Sequence, residues 1–377
     1  MGHHYLRPLA LLLLLSGCGE GSGGVTSTPT PTPTATATAT PTPSPTPTPT
    51  PTPSQSFPFT PAPALTASVG PRLPLGKCIN MGNQLEAEDE GDLGRRIRDS
   101  DFTFIRSGGF STVRIPIQFS AHAASSAPYT LESSFMDRIE HVVDTATDAG
   151  INVIIDMHAY DDFNDDPAGQ APRFVAMWQQ IAQRFASAPS SVWFELLNEP
   201  NRRLTNANLP TYYAQAIAAI RETNPTRYVI AGGGNTSNIG SLATLELPND
   251  AYVVPTFHYY DPMDFTHQGA SWISPTPPLG TTFGSDADYA ALRSDLSLVT
   301  DYYTRTGRVP FVGEYGAYEV ISTTQRATYY GAVSHAFASI GVQTCAWSYV
   351  NTFQLRNDSA GTWITEITDL IATTTTP

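Results

Sequence analysis

Lysine is almost missing from this chain. Lys77 is the only one, and 20 basic against 34 acidic side chains leave a formal charge of −14. No arginine cluster exceeds Arg202-Arg203 or the Arg95, Arg96, Arg98 group, which a solvated helix face accounts for. Phosphate neutralisation needs clustered cations, so nucleic acid is not expected as a partner. Charge of either sign is scarce, at 14% of residues, while 41% are apolar and 10% aromatic. That combination signals one long uncharged segment diluting an ordinary domain, not general disorder. The N-terminal apolar run, Leu9–Leu15, is too short for a hydrocarbon core of ~30 Å. Only three cysteines occur, with no paired-cysteine signature and no HExxH-type spacing, so neither a metal nor a cofactor is expected.

What is present begins with export. Arg7, the run Leu9–Leu15 and small residues ending at Cys18 read as a signal peptide over residues 1–17. Leu15-Ser16-Gly17-Cys18 resembles the lipobox of bacterial lipoproteins, which implies lipidation of Cys18. A plain signal peptide with a chance cysteine is the alternative. After a short Gly/Ser spacer (residues 18–25), residues 26–64 are a Pro/Thr-rich linker without a charged residue. Proline fixes φ and removes the N–H donor, so the linker favours an extended polyproline II spacer over helix or sheet. The expected location is outside the cytoplasm, anchored to a bacterial membrane (outer membrane or cell surface), with simple secretion as the alternative. A monomer is expected.

Residues 65–377 alternate β-rich runs with longer amphipathic stretches, the pattern of repeated βα units. Strands are expected near Lys77–Met81, Thr112–Pro116, Asn152–Met157, Val192–Leu197, Tyr228–Ala231, Tyr252–His258, Pro310–Gly313 and Thr344–Ser348. Helices are expected over Glu132–Asp148, Arg173–Phe185, Tyr212–Glu222, Asp286–Tyr303 and Gln325–Ile340. Eight strands fit an α/β fold of the (β/α)8 TIM-barrel type, whose active sites form at the C-terminal strand ends. Those ends carry Asn80 and Asn83, Arg114, His158, Asn198-Glu199, His258 and Tyr260, Glu314 and Trp347. So many ionisable groups on one rim point to catalysis.

The segments VRIPI, IIDMH, WFELLNEP, FHYYDP, PFVGEYG and CAWSY follow one another at the second, third, fourth, sixth, seventh and eighth strands. In that order the chain resembles glycoside hydrolase family 5, retaining β-glycanases on a (β/α)8 barrel. The resemblance implies Glu199 as acid/base and Glu314 as nucleophile, with Arg114 and Tyr260 holding the nucleophile. It implies Asn198 as a donor to the sugar 2-hydroxyl, His158 and His258 lining the reacting-sugar subsite, and Trp347 as that subsite's aromatic floor. Chemistry asks for the same pair independently. An oxocarbenium-like transition state needs an acid for the leaving oxygen and an anion across the ring. A cellulase-type endo-β-1,4-glycanase is the implied activity, with β-linked polysaccharide as the partner. Mannan, xyloglucan and β-1,3-glucan activities, or a non-catalytic carbohydrate-binding barrel, are the alternatives.

Trp272 and His267, in the long loop 262–284, are candidate contacts for a more distant sugar, and Tyr315 and Tyr318 are open between core and site. Cys78 and Cys345 fall on the first and last strands, neighbours in a closed barrel. A disulfide between adjacent parallel strands is awkward, so two buried thiols are the expected state, with the disulfide as the alternative.

Overall fold

The computed structural model describes residues 55–374. The signal stretch, Cys18 and the linker up to residue 54 lie outside the described residues. Eight parallel strands close into a barrel in sequence order: β1 (Cys78–Asn80), β2 (Thr112–Ile117), β3 (Asn152–Met157), β4 (Val192–Glu195), β5 (Val229–Ala231), β6 (Val253–Tyr259), β7 (Phe311–Tyr315) and β8 (Thr344–Ala346). β1 pairs with both β2 and β8, which completes the ring. The expected barrel is therefore observed, with strand ends shifted by at most two residues.

Every strand but β2, whose inward positions are Thr112, Arg114 and Pro116, shows alternate residues to two different cores. Ile79, Val113, Ile115, Val153, Ile155, Phe194, Val229, Val253 and Val312 belong to the outer core beneath the helices. Ser133–Asp148 contributes Met136, Ile139, Val142, Val143 and Ala146 to it, each large side chain adding roughly 1.5–3 kcal/mol when buried. Phe135 lies at the margin of that face, half-buried against the same core and stacked on His122. The helix expected from Arg173 starts earlier, at Pro167, where Asp166 caps it and proline at the first turn loses no hydrogen bond. Two further helices, Leu209–Arg221 and Thr323–Ser339, match their expected positions closely, and Asp286–Thr306 runs three residues beyond its expected end. Asp99–Ser107 is an additional helix, and Arg95, Arg96 and Arg98, expected to lie on a solvated helix face, instead precede it, with Arg98 at its N-cap.

Inside the barrel, Cys78, Ile154, Trp193, Ile230, Val254, Phe311 and Cys345 form a separate apolar cluster with Leu73 and Leu75. These are the residues nearest the N-terminal strand ends, so they make a floor. Cys78 and Cys345 pair directly in register with Cα atoms 4.4 Å apart, and they form a disulfide. This corrects the expectation of free thiols. Direct register opposition on the inward face brings the sulfurs together despite the parallel geometry.

The folded region also starts before Leu65. Phe57 is buried against Gly331 and lies 5.0 Å from the His335 ring, Ala62 N–H donates to Ser339 O, and Leu65 N–H donates to Ile340 O. Residues 55–64, expected to be linker, are thus fastened along Thr323–Ser339. Two phenylalanines in that stretch supply apolar anchors that the Thr-Pro repeats lack.

Candidate active site

Two residues above the apolar floor, the same strands turn ionic. Cys78 is followed by Asn80, Ile154 by Asp156 and Trp193 by Glu195, all fully buried. Arg114 on β2 ties this layer together. A guanidinium has five N–H donors, and all five are used. Nε and Nη2 grip Glu195 at 2.7 and 2.9 Å, and Nη2 also reaches Asn198 Oδ1 at 2.8 Å. Nη1 donates to Asn80 Oδ1 at 3.0 Å and to Glu314 Oε1 at 2.7 Å. Asp156 Oδ2 stands 3.0 Å from Nη2. Burial opposes the charge, but the surrounding carboxylates of Asp156, Glu195 and Glu314 hold Arg114 firmly protonated.

Glu314 sits at the end of β7 beside β6, and a register shift between Phe257 and His258 pairs His258 with Glu314. Gly313 makes the shift possible: a Cβ there would lie 2.7 Å from Thr256 Oγ1 and 3.3 Å from His258 Nε2. Tyr260 O–H donates to Glu314 Oε2 at 2.9 Å, so both carboxylate oxygens are bound. Burial would raise the Glu314 pKa, yet His258, Arg114 and His158 together with the Tyr260 hydrogen bond bring it below the ordinary value. Glu314 is therefore an ionised carboxylate at neutral pH.

Glu199 follows β4 and is the more accessible of the two, its side chain 33% exposed against 5% for Glu314. His258 Nδ1 is 2.8 Å from Glu199 Oε1 and 3.7 Å from Glu314 Oε2. One oxygen of each glutamate and a nitrogen of His258 all lie within 4.8 Å of one another. That separation matches the ~5–5.5 Å of double displacement and is too close for the ~6.5–9.5 Å that accommodates an intervening water.

The same three groups are also a metal-ligand set by type. Their lone pairs, however, already face the Arg114 guanidinium, the Tyr260 hydroxyl and the shared His258 nitrogen. A second cation would sit within a few ångströms of Arg114. The donor set fits proton transfer better than metal binding.

His158 continues from β3. Asp156 Oδ2 accepts from Nδ1 at 2.7 Å, and burial is outweighed by Asp156, Glu314 and Glu86, which raise the imidazole to about 9. Protonated, its Nε2–H faces Asn198 Nδ2 at 3.3 Å. Both nitrogens are then donors that cannot satisfy each other, which leaves each free for a sugar hydroxyl oxygen. The His158 ring also stacks with Trp347, centroids 5.7 Å apart at 12°. Gly82 lets the indole lie flat: a Cβ there would come 2.6 Å from it.

The residues expected further out separate. His267 is buried between Tyr260 and Phe353, ring centroids 5.1 and 5.2 Å away, and desolvation lowers its pKa to about 4, so it is neutral. Trp272 stands exposed, edge-on to Tyr318 at 4.9 Å. Tyr315 is core, fully buried. Sequence reasoning missed Asp156 and Glu195, although each is a carboxylate inside an apolar strand run, a placement that burial alone would forbid without a cation. It also missed Glu86, whose carboxylate accepts the N–H groups of Asn83 and Gln84 and whose burial raises its pKa.

A closed parallel barrel with a clamped carboxylate facing a freer one across its mouth defines a two-carboxylate glycosidase scaffold. The family model "Cellulase (glycosyl hydrolase family 5)" matches residues 83–352, and the chain belongs to that family. Endoglucanase H of Acetivibrio thermocellus is 32% identical over 286 residues, covering 76% of this chain and 31% of that protein, so the chain spans about a third of that relative's length. Among solved structures, a hyperthermophilic endo-β-1,4-glucanase in complex with substrate is 36% identical with a TM-score of 0.77, covering 79% of this chain and 96% of that one. Thermotoga maritima Cel5A, solved with mannotriose and with cellobiose, is 32% identical with a TM-score of 0.77, covering 79% and 98%.

Proposed function

We propose that the chain is a retaining endo-β-glycanase acting on internal β-1,4-glucosidic bonds of cellulose or related β-glucans. The observation that carries the reading is the Glu199–Glu314 arrangement: carboxylate oxygens within 4.8 Å, one acid clamped and ionised, the other accessible. In the first step Glu314 attacks the anomeric carbon, and the bond to the leaving oxygen breaks as Glu199 gives that oxygen its proton. In the second, Glu199 takes a proton from water, which displaces Glu314 from the sugar and restores both groups. Arg114 and Tyr260 hold the Glu314 oxygens in line, and Trp347 offers its face to the C–H side of the sugar. Asn198 and His158 offer donors to sugar hydroxyls, and Trp272 is an outlying platform.

Glucan is favoured by the names of the relatives. Mannan, xyloglucan or β-1,3-glucan would use the same catalytic pair, and Cel5A's mannotriose complex keeps mannan as the second reading. Proton NMR at early times on a soluble β-1,4-glucan checks the mechanism. The first product reducing ends should be β; an initial α anomer would mean inversion and remove the reading.

The setting we infer is extracytoplasmic, with Cys18 lipidated and the Pro/Thr segment as spacer. Support comes from the lipobox-like sequence and from the Cys78–Cys345 disulfide, which suits an oxidising compartment. Cys18→Ser should move activity from the membrane to the soluble fraction or block processing. Activity that is soluble in the unsubstituted protein, with a mature N-terminus beyond Cys18, would leave simple secretion.

A further inference from the structure

Large apolar side chains that stand out in solvent are few among the described residues, and four of the six, Met263, Trp272, Leu279 and Val320, come from the two loops that leave the catalytic ends of β6 and β7. Trp272 is 49% exposed, Leu279 70% and Val320 51%. The loops are stitched together where these residues meet. Tyr318 N–H donates to Thr266 O at 2.9 Å across the two loops, and Gly269 N–H donates to Pro277 O at 2.8 Å within the first. A Cβ on Gly269 would lie 2.8 Å from Leu279 Cδ2 and 3.5 Å from Val320 Cγ2, so those two side chains cover the same spot. Trp272 packs edge-on to Tyr318, two residues before Val320. The result is one apolar shelf, not scattered exposed residues.

A chain of ring contacts, through the buried Phe353, links the shelf to the reacting centre. Tyr318 contacts Phe353 at 5.7 Å between ring centroids, Phe353 contacts Tyr260 at 6.0 Å, and Tyr260 holds Glu314. Contiguous exposed apolar ground on a protein surface marks an interaction site. We infer that Leu279 and Val320, with the outer edge of Trp272, form a landing surface for the apolar ring faces of an insoluble β-linked polysaccharide, beyond the subsites that grip the chain being cut. The inference rests on the glycanase reading. A polymer attacked internally runs past the mouth on both sides, and in an insoluble particle its neighbouring chains come with it. Flat β-linked pyranose chains carry hydroxyls at their edges and C–H groups on their faces, and the faces match an aliphatic and aromatic shelf. A single soluble chain, seated in the cleft, has no need of it.

The test compares the full chain with Leu279→Ser and Val320→Ser, singly and together. Adsorption to microcrystalline and acid-swollen cellulose is measured by depletion at low temperature, alongside kcat/KM on a soluble β-glucan. The double variant should lose several-fold in adsorption and in insoluble-substrate turnover while keeping soluble kcat/KM and thermal stability. Unchanged adsorption, or an equal loss on soluble glucan, overturns the inference. Wild-type self-association in sedimentation that the double variant abolishes would also overturn it, because the shelf would then be covered by a second copy. Failure of the wild type to cut any soluble β-glucan would sink the glycanase reading instead, so the two failures are distinguishable.

Discussion

The barrel interior is two molecules in one. Its floor is apolar: Ile154, Trp193, Ile230, Val254 and Phe311, sealed by Leu73 and Leu75 and closed by the Cys78–Cys345 disulfide. One inward step up the same strands, Asn80, Asp156 and Glu195 surround a buried Arg114 in which every donor is taken. The difference teaches how a parallel barrel carries charge in its centre. Burial of any one of these ions alone would be prohibitive, and breaking such a set typically costs about 3–5 kcal/mol. The apolar layer beneath excludes water from below, so each hydrogen bond in the ionic layer acts in a low dielectric, where it orients groups more strongly. The floor supplies stability and the layer above supplies chemistry.

If that division is right, its largest consequence is catalytic. Glu314→Gln keeps the side-chain volume and much of the clamp from Arg114 and Tyr260 but removes the attacking anion. Turnover on a soluble β-glucan should fall by at least about a thousandfold, with the thermal midpoint little changed. Glu199→Ala should instead spare aryl glycosides with good leaving groups, which need no proton. A Glu314→Gln variant with near-normal kcat would take Glu314 out of the reaction and break the comparison at its upper half.

The upper layer was also the more legible in the sequence, for a physical reason. Asn198 and Glu199 follow β4, and His258 and Glu314 stand next to last in β6 and β7, so an apolar run ending in a polar residue marks them; Arg114, read as a strand-end residue, instead lies inside β2. Asp156 and Glu195 lie within the runs and look like interruptions until Arg114 is seen between them. The fold was readable because short β-rich runs, buried on both faces, alternate with longer amphipathic stretches over the whole domain. What sequence spacing could not supply was register. The disulfide depends on Cys78 opposing Cys345 directly, and the Glu314–His258 pairing depends on a one-place shift between β6 and β7. The start of the fold was misplaced for a related reason: Phe57 and Phe59 sit among Pro and Thr, and only their packing on His335 and Tyr289 shows that they belong to the barrel.

The floor should fail differently from the mouth. The disulfide joins residues 267 apart in sequence across the β1–β8 seam. Replacing both Cys78 and Cys345 with alanine should lower the unfolding free energy by roughly 2–5 kcal/mol, the usual loss when a native disulfide is removed. Denaturant titration measures that loss, and turnover well below the melting range should stay near wild type. A variant that keeps its stability but loses activity would show the seam acting on the ionic layer above it, through Asn80 and Trp347.

The smallest effect lies at the border of the two layers, in Asp156. Its carboxylate is fully buried, with Oδ2 shared by His158 Nδ1 and Arg114 Nη2 and Oδ1 without a hydrogen-bond partner. Despite burial, Asp156 is the chief reason that the His158 pKa reaches about 9. A folded-state pKa above the unfolded value of ~6.5 stabilises the fold fully below ~6.5, and the contribution is lost as pH rises through 9. Wild-type stability should therefore decline between these limits, by at most on the order of 3 kcal/mol from this group. Asp156→Asn keeps the shape and removes the charge, so His158 should titrate closer to its ordinary value and the decline should flatten. Thermal midpoints of both proteins from pH 6 to 10 measure the difference, and NMR of the His158 ring reads the titration directly. The substitution should also draw the alkaline limb of kcat/KM toward neutrality, because an unprotonated Nε2 no longer donates to a sugar hydroxyl. Parallel stability curves would mean that Glu314 and Glu86, not Asp156, set the charge of His158. The ionic layer would then act as one body, with no local pairing of Asp156 and His158.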